Sequence, residues 1–164
     1  VERLGVYYAR RHGLDFRGLR LPIVVSRYAH LGAASSYASR AFLETAQNGG
    51  FVFQVRPETQ PALIYTRDVI DAVVMLLEAP AEKLQQCVYN IQALSPTAEE
   101  LAAAIRSHYP DALLTFQTDE RVADLIDSWP RRFDDSAARR DWNWNSTYDL
   151  PAMAADFAAS LATG

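Results

Sequence analysis

Between residues 16 and 25 the chain carries Leu19, Leu21, Ile23, Val24 and Val25 with scarcely a polar face among them. A half-exposed strand alternates apolar and polar residues. A run this continuous needs cover on both faces, the condition met in a parallel sheet flanked by helices. The rest of the chain supplies helices in alternation with further short strands. Residues 2 to 12 have helical spacing, with Leu4, Val6, Tyr7 and Tyr8 to one side and Gly13 as the stop. Further helices are expected over 37–47, ended by Asn48-Gly49-Gly50, and from Asp68, as cap, through Val74 and Leu77 to Pro80. Another runs from Thr97, which has capping-box spacing to Glu100, as far as Ser107, with shorter ones around Asp135 and after Asp149. Strands are expected over 51–55 and 62–66, on either side of a Pro-Glu-Thr turn, and over 88–91 and 113–117. Such alternation predicts an α/β fold with a mostly parallel sheet. At 164 residues, 49% hydrophobic and without a Gly/Ser/Pro linker, the chain forms one domain with a real core.

The composition excludes several chemistries. A formal net charge of −4 with scattered basic residues offers no field for nucleic acid or an anionic membrane. Arg131-Arg132 and Arg139-Arg140 are interrupted by Asp134-Asp135 and read as a solvated helix face. Cys87 is the only cysteine, so neither an internal disulfide nor a thiolate zinc site can form; a buried, inert thiol in a reducing, cytoplasmic setting is expected. No apolar stretch reaches transmembrane length, and no metal site is expected from His12, His30 and His108, which stand far apart. No Gly-x-Gly-x-x-Gly turn leads from a strand into a helix, so these residues hold no ready-made pyrophosphate cradle. Lys83 is the only lysine and Ala79 stands four residues before it, which rules out a Tyr-x-x-x-Lys pair here. No Gly-x-Ser-x-Gly elbow occurs, and Asp134-Asp135 at a helix start favours capping over acid–base work.

Three stretches carry a resemblance. Gly13-Leu14-Asp15-Phe16-Arg17 with Leu19-Arg20-Leu21-Pro22 is similar to the strand after the catalytic helix of extended short-chain dehydrogenases. Tyr89-Asn90-Ile91 followed by Ser95-Pro96-Thr97 and Glu99-Glu100-Leu101 resembles the substrate-domain strand and helix of the same superfamily. Asp127-Ser128-Trp129-Pro130, the segment from Asp134-Asp135-Ser136 to Trp142 and Trp144, and Tyr148-Asp149-Leu150 resemble the C-terminal signature of short-chain L-threonine 3-dehydrogenases, as does Glu78-Ala79-Pro80-Ala81-Glu82.

The resemblance implies the C-terminal part of a Rossmann-type sheet with a small substrate-binding subdomain, residues 1–164 forming one portion whose N-terminal dinucleotide-binding half is absent. It further implies NAD as cofactor, L-threonine as substrate, 2-amino-3-oxobutyrate and NADH as products, and a homodimer at full length. The family's Tyr and Lys would fall upstream of Val1, so this chain alone is expected to be inactive. Pro22, Ile23 and Val24 match the segment whose backbone faces the nicotinamide; Ile23 stands where the family usually has Gly. The loop from Gly32 through Ser35 and Ser36 to Ala38 matches one that closes over the amino acid, with two glycines replaced by alanine and one residue missing. Ser35, Ser36 and Trp129 would bind substrate, Trp129 having a core-anchor role as its bland alternative.

Two rivals stand beside this reading. One is part of a nucleotide-sugar epimerase or dehydratase, which needs basic residues for a diphosphate, Arg27 and Arg40 being the candidates. The other is a non-catalytic binding module.

Overall fold

The computed structural model describes residues 1–162 and contains three pairs of parallel strands. Strand β1 (Gly18–Arg20) pairs with β5 (Val88–Asn90), β2 (Ile23–Val25) with β4 (Leu63–Tyr65), and β3 (Gly50–Phe53) with β6 (Leu113–Phe116). The helices are α1 (Glu2–His12), α2 (Tyr37–Asn48), α3 (Thr66–Glu78), α4 (Ala98–Arg106), α5 (Glu120–Asp127), α6 (Ser136–Trp142) and α7 (Leu150–Ala162). The apolar run between residues 16 and 25 is therefore two strands, not one. Pro22 has no N–H to give to a ladder, and the chain changes partner there, leaving β5 for β4. Likewise the strands flanking the Pro-Glu-Thr turn do not pair with each other.

Strand β4 explains why the apolar runs are continuous. All three of its residues are buried, but successive side chains point to opposite faces. Leu63 and Tyr65 join one core with Phe42, Phe53, Leu101, Ile105 and Phe157. Ile64, between them, joins a second core with Ala72, Leu76, Tyr89, Trp142 and Trp144. Strand β2 divides the same way, with Ile23 and Val25 on the first core and Val24 on the second. Each strand is covered on both faces, as the sequence demands.

Local signals set most boundaries. Gly13 ends α1 and Gly49 ends α2 in the left-handed conformation, at φ 67° and 75°. Thr97 and Glu100 make the reciprocal capping box that opens α4. Helix α3 ends without a glycine. There the Arg17 guanidinium donates to the carbonyls of Leu76 at 2.6 Å, Leu77 at 3.0 Å and Ala79 at 2.7 Å, supplying the donors that its last turn lacks.

Several expectations are corrected. Asp68 does not cap its own helix: it lies inside the first turn, wholly buried, and accepts the Thr147 N–H at 2.7 Å. Burial pushes its carboxyl above the usual range. Helix α1 stands where it was expected, and its apolar side is open, with no buried residue and Leu4, Tyr7 and Tyr8 exposed. Cys87 is half-buried, not fully buried. Helix α5 was not expected; Asp119 caps it by accepting the N–H groups of Arg121 and Val122.

Close approach of β3 to β6 depends on one small residue. A Cβ on Gly50 would lie 2.6 Å from the Leu113 carbonyl oxygen. Gly50→Ala is expected to force the strands apart and destabilise the chain by about 1–3 kcal/mol, read from the shift of a urea unfolding curve.

Candidate functional site

The change of partner at Pro22 opens a cavity at the carboxyl end of β1, the side of a parallel sheet where ligands bind. Its volume is about 510 Å³. Leu21, Pro22, Ile23 and Val24 form one wall, Pro61 and Ala62 another; Ala29, His30, Ala33, Ser35 and Ser36 come from the loop before α2. Trp129, Pro130 and Phe133, from the segment after α5, close the remaining side. Pro22, Ile23, Val24, Ser35, Ser36 and Trp129, which lie far apart in sequence, thus meet around one cavity.

Their local settings differ. The Ile23 N–H donates to the Ala62 carbonyl at 3.2 Å, so it is committed to the sheet. Among the described residues, the Leu21 N–H and the Pro22 carbonyl make no such bond. The Ser36 hydroxyl is almost fully buried and donates to the His30 carbonyl at 2.6 Å. Ser36 therefore braces the loop, and its proton is not free for a ligand as expected. Ser35 is half-buried and its hydroxyl makes no hydrogen bond among the described residues. Trp129 is half-buried, packing against the first core while lining the cavity.

The Trp129 wall is fastened to the sheet by backbone bonds. The Ala62 N–H donates to the Pro130 carbonyl at 3.2 Å, the Ser95 hydroxyl to the Arg131 carbonyl at 2.8 Å, and the Phe133 N–H to Gln92 Oε1. Sequence reasoning did not place Phe133 in the site, and weighed His30 only as a metal ligand. His30 is the one titratable side chain lining the cavity among the described residues, and no Lys, Arg, Asp or Glu lines it. Arg27 and Arg40 also stay out of it. Arg27 donates to the Ser160 carbonyl at 2.5 Å and Arg40 is paired with Glu44 at 2.7 Å.

Three tyrosines are held in the protonated form. Burial, followed by the Asp127 charge, raises the Tyr37 phenol well above its ordinary value, and its hydroxyl has no partner. Burial, followed by the Asp156 carboxylate, raises Tyr65, and Tyr89 is pushed up to about 12 for like reasons involving Asp141. Among the described residues no cluster of His, Cys, Asp or Glu could hold a metal ion, and no helix is long and apolar enough to cross a membrane.

Comparison with known proteins agrees with this geometry. Over 154 residues, 93% of this chain, the sequence is 41% identical to the mitochondrial L-threonine 3-dehydrogenase of Bos taurus, covering 41% of that protein. It is 33% identical over the same length to an uncharacterized epimerase/dehydratase of Staphylococcus haemolyticus, covering 48% of it. The structure of L-threonine dehydrogenase from Phytophthora infestans superimposes with a TM-score of 0.90 at 36% identity, over 99% of this chain and 53% of that one. The fold is accordingly the Rossmann-like one of these dehydrogenases, and the chain spans about half the length of the relatives it matches. The profile of the NAD dependent epimerase/dehydratase family matches residues 1–91. With more than half its length under that profile, the chain belongs to the NAD dependent epimerase/dehydratase family.

Proposed function

We propose that this chain is the substrate-binding portion of an NAD-dependent L-threonine 3-dehydrogenase, which converts L-threonine and NAD⁺ to 2-amino-3-oxobutyrate and NADH. The observation that carries this reading is the convergence of Ser35 and Trp129 with the Leu21–Pro22 backbone on one cavity, roomy enough for an amino acid beside a nicotinamide. NAD supplies the hydride acceptor when bound. The free Leu21 N–H and Pro22 carbonyl would meet its carboxamide, with Ile23 and Val24 supporting them from β2. Ser35 would hold the polar end of L-threonine, and Trp129 with Phe133 would exclude water from the reacting carbon.

The base and the pyrophosphate site belong, in this proposal, to an N-terminal Rossmann half. The exposed apolar residues Leu4, Tyr7 and Tyr8 on α1, and Ile70, Val73, Val74 and Leu77 on α3, support the view that more of the fold packs there. A homodimer at full length and a cytoplasmic location complete the reading; the Bos taurus relative carries the name mitochondrial. The absence of Arg or Lys from the lining disfavours a nucleotide diphosphate.

The test joins this chain to its upstream half and follows NADH formation. L-threonine should support turnover, and UDP- or GDP-sugars should not; preference for a nucleotide sugar would replace this proposal with the epimerase one. The 164-residue chain by itself should form no NADH and bind NAD⁺ far more weakly than micromolar in calorimetry.

A further inference from the structure

Arg56 follows β3 and is far in sequence from everything it holds. Its Nη1 donates to Asp127 Oδ2 at 2.7 Å; its Nη2 donates to Asp124 Oδ1 at 2.7 Å and to Glu120. The three carboxylates are spaced i, i+4 and i+7 on α5 and form one stripe of that helix. Without a cation among them they repel one another. The Arg56 and Asp127 side chains are each 27% exposed, against 71% for Glu120 and 72% for Asp124, so the Asp127 arm is the sheltered one. Helix α5 is otherwise lightly held, with only Ala123 and Ile126 buried. The Trp129 N–H donates to the Ile126 carbonyl at 3.0 Å, so Trp129 continues the last turn of this helix into the cavity wall. Beyond it, the Pro130 carbonyl is fixed to the sheet through Ala62. After Trp129 the wall is held by Ala62, Ser95 and Gln92; before it stands a helix whose three carboxylates meet on one guanidinium.

We propose that Arg56 is the positioning residue of this wall: by gathering Glu120, Asp124 and Asp127 onto a single guanidinium, it sets the angle at which α5 presents Trp129 to the cavity. Its kinetic consequence rests on reading that cavity as the L-threonine pocket; the placement of Trp129 does not. Lysine cannot substitute fully, because a compact ammonium lacks the planar fork that serves several carboxylates at once.

Trp142 and Trp144 are 6% and 1% exposed, so acrylamide quenching of the chain's fluorescence reads chiefly Trp129. In the 164-residue chain, Arg56→Met should raise the quenching constant roughly twofold at unchanged far-UV circular dichroism, as expected for local opening without global unfolding. Arg56→Lys should give a smaller rise. Adding Glu120→Gln and Asp124→Asn to Arg56→Met removes the repulsion and should reverse most of the change, which a general loss of packing would not allow. Asp127→Ala keeps Arg56 and removes the acceptor of its sheltered arm; it too should expose Trp129, and it decides the matter if Arg56→Met fails to fold. In the enzyme joined to its N-terminal half, Arg56→Met should raise KM for L-threonine about fivefold to tenfold and leave the NAD⁺ constant unmoved. Exposure of Trp129 with an unchanged threonine KM upholds the placement and removes the threonine reading of the cavity. Unchanged quenching in Asp127→Ala together with Arg56→Met, or a rise that the neutralised carboxylates do not reverse, overturns the proposal.

Discussion

Asp141→Ala is expected to lower the melting temperature of this chain by about 10 °C, the outcome when a buried, hydrogen-bonded charge network loses its acceptor at about 3–5 kcal/mol. The carboxylate is 1% exposed. Its Oδ2 accepts the Tyr89 hydroxyl at 2.8 Å and the Gln85 N–H at 3.2 Å, while Oδ1 accepts Arg140 Nε at 2.8 Å. Tyr89 is wholly buried, and its ring stands edge-on to Trp142 at 5.9 Å in the second core. Truncation to alanine therefore strands a buried phenol and frees α6 from β5 in one step. Asp141→Asn keeps one acceptor oxygen and should lose less.

The same network fixes a pH dependence. Burial alone would raise the Asp141 carboxyl, but the hydrogen bonds from Tyr89, Arg140 and Gln85 outweigh it and hold the group below the usual carboxylate range. A depressed carboxyl contributes stability above its unfolded value of about 3.9 and loses it as pH falls through the folded one. The difference in unfolding free energy between the chain and Asp141→Ala should thus be full at neutral pH and shrink below about pH 4. Urea titrations at a series of pH values measure it, and a difference that persists undiminished into acid would show that the carboxylate charge is not what stabilises the network.

How much of this was legible beforehand depends on the range over which each interaction acts. The α/β class followed from local pattern, because β4 and β2 bury both faces and so carry no polar residue. Helix ends followed from Gly13, Gly49 and the Thr97 box, all of which act within one turn. Helix α5 was missed although Asp119 followed by Val122, Ala123 and Ile126 has the cap and the spacing of a helix; the many charges of that stretch hid a narrow apolar stripe. Asp68 misled because its partner, Thr147, lies 79 residues away. For the same reason nothing near Arg17 announces that it caps α3, and nothing near Arg56 announces α5. The candidate site residues were proposed through resemblance alone. Their convergence on one cavity is a tertiary fact, and so is the division of labour between Ser35 and Ser36, two adjacent hydroxyls that no sequence pattern tells apart.

That division gives the second large effect. Ser35→Ala in the enzyme joined to its N-terminal half should raise KM for L-threonine about tenfold to a hundredfold, because a hydroxyl bonded to a charged group is worth roughly 1.5–3 kcal/mol. The NAD⁺ constant should barely move, since Ser35 comes from a different segment of the lining than the Leu21–Pro22 backbone and has a different proposed role. Ser36→Ala acts differently. Its hydroxyl holds the His30 carbonyl, so its loss should loosen the loop and disturb KM and kcat together, by less in KM than Ser35→Ala. Trp129→Ala should lower kcat as well as raise KM, because a pocket without its wall lets the substrate hydroxyl drift from the base and the nicotinamide. Steady-state kinetics on the three variants separate these outcomes. Equal effects of Ser35→Ala and Ser36→Ala would mean that both hydroxyls only shape the loop, and wild-type threonine kinetics in all three would take L-threonine out of this cavity.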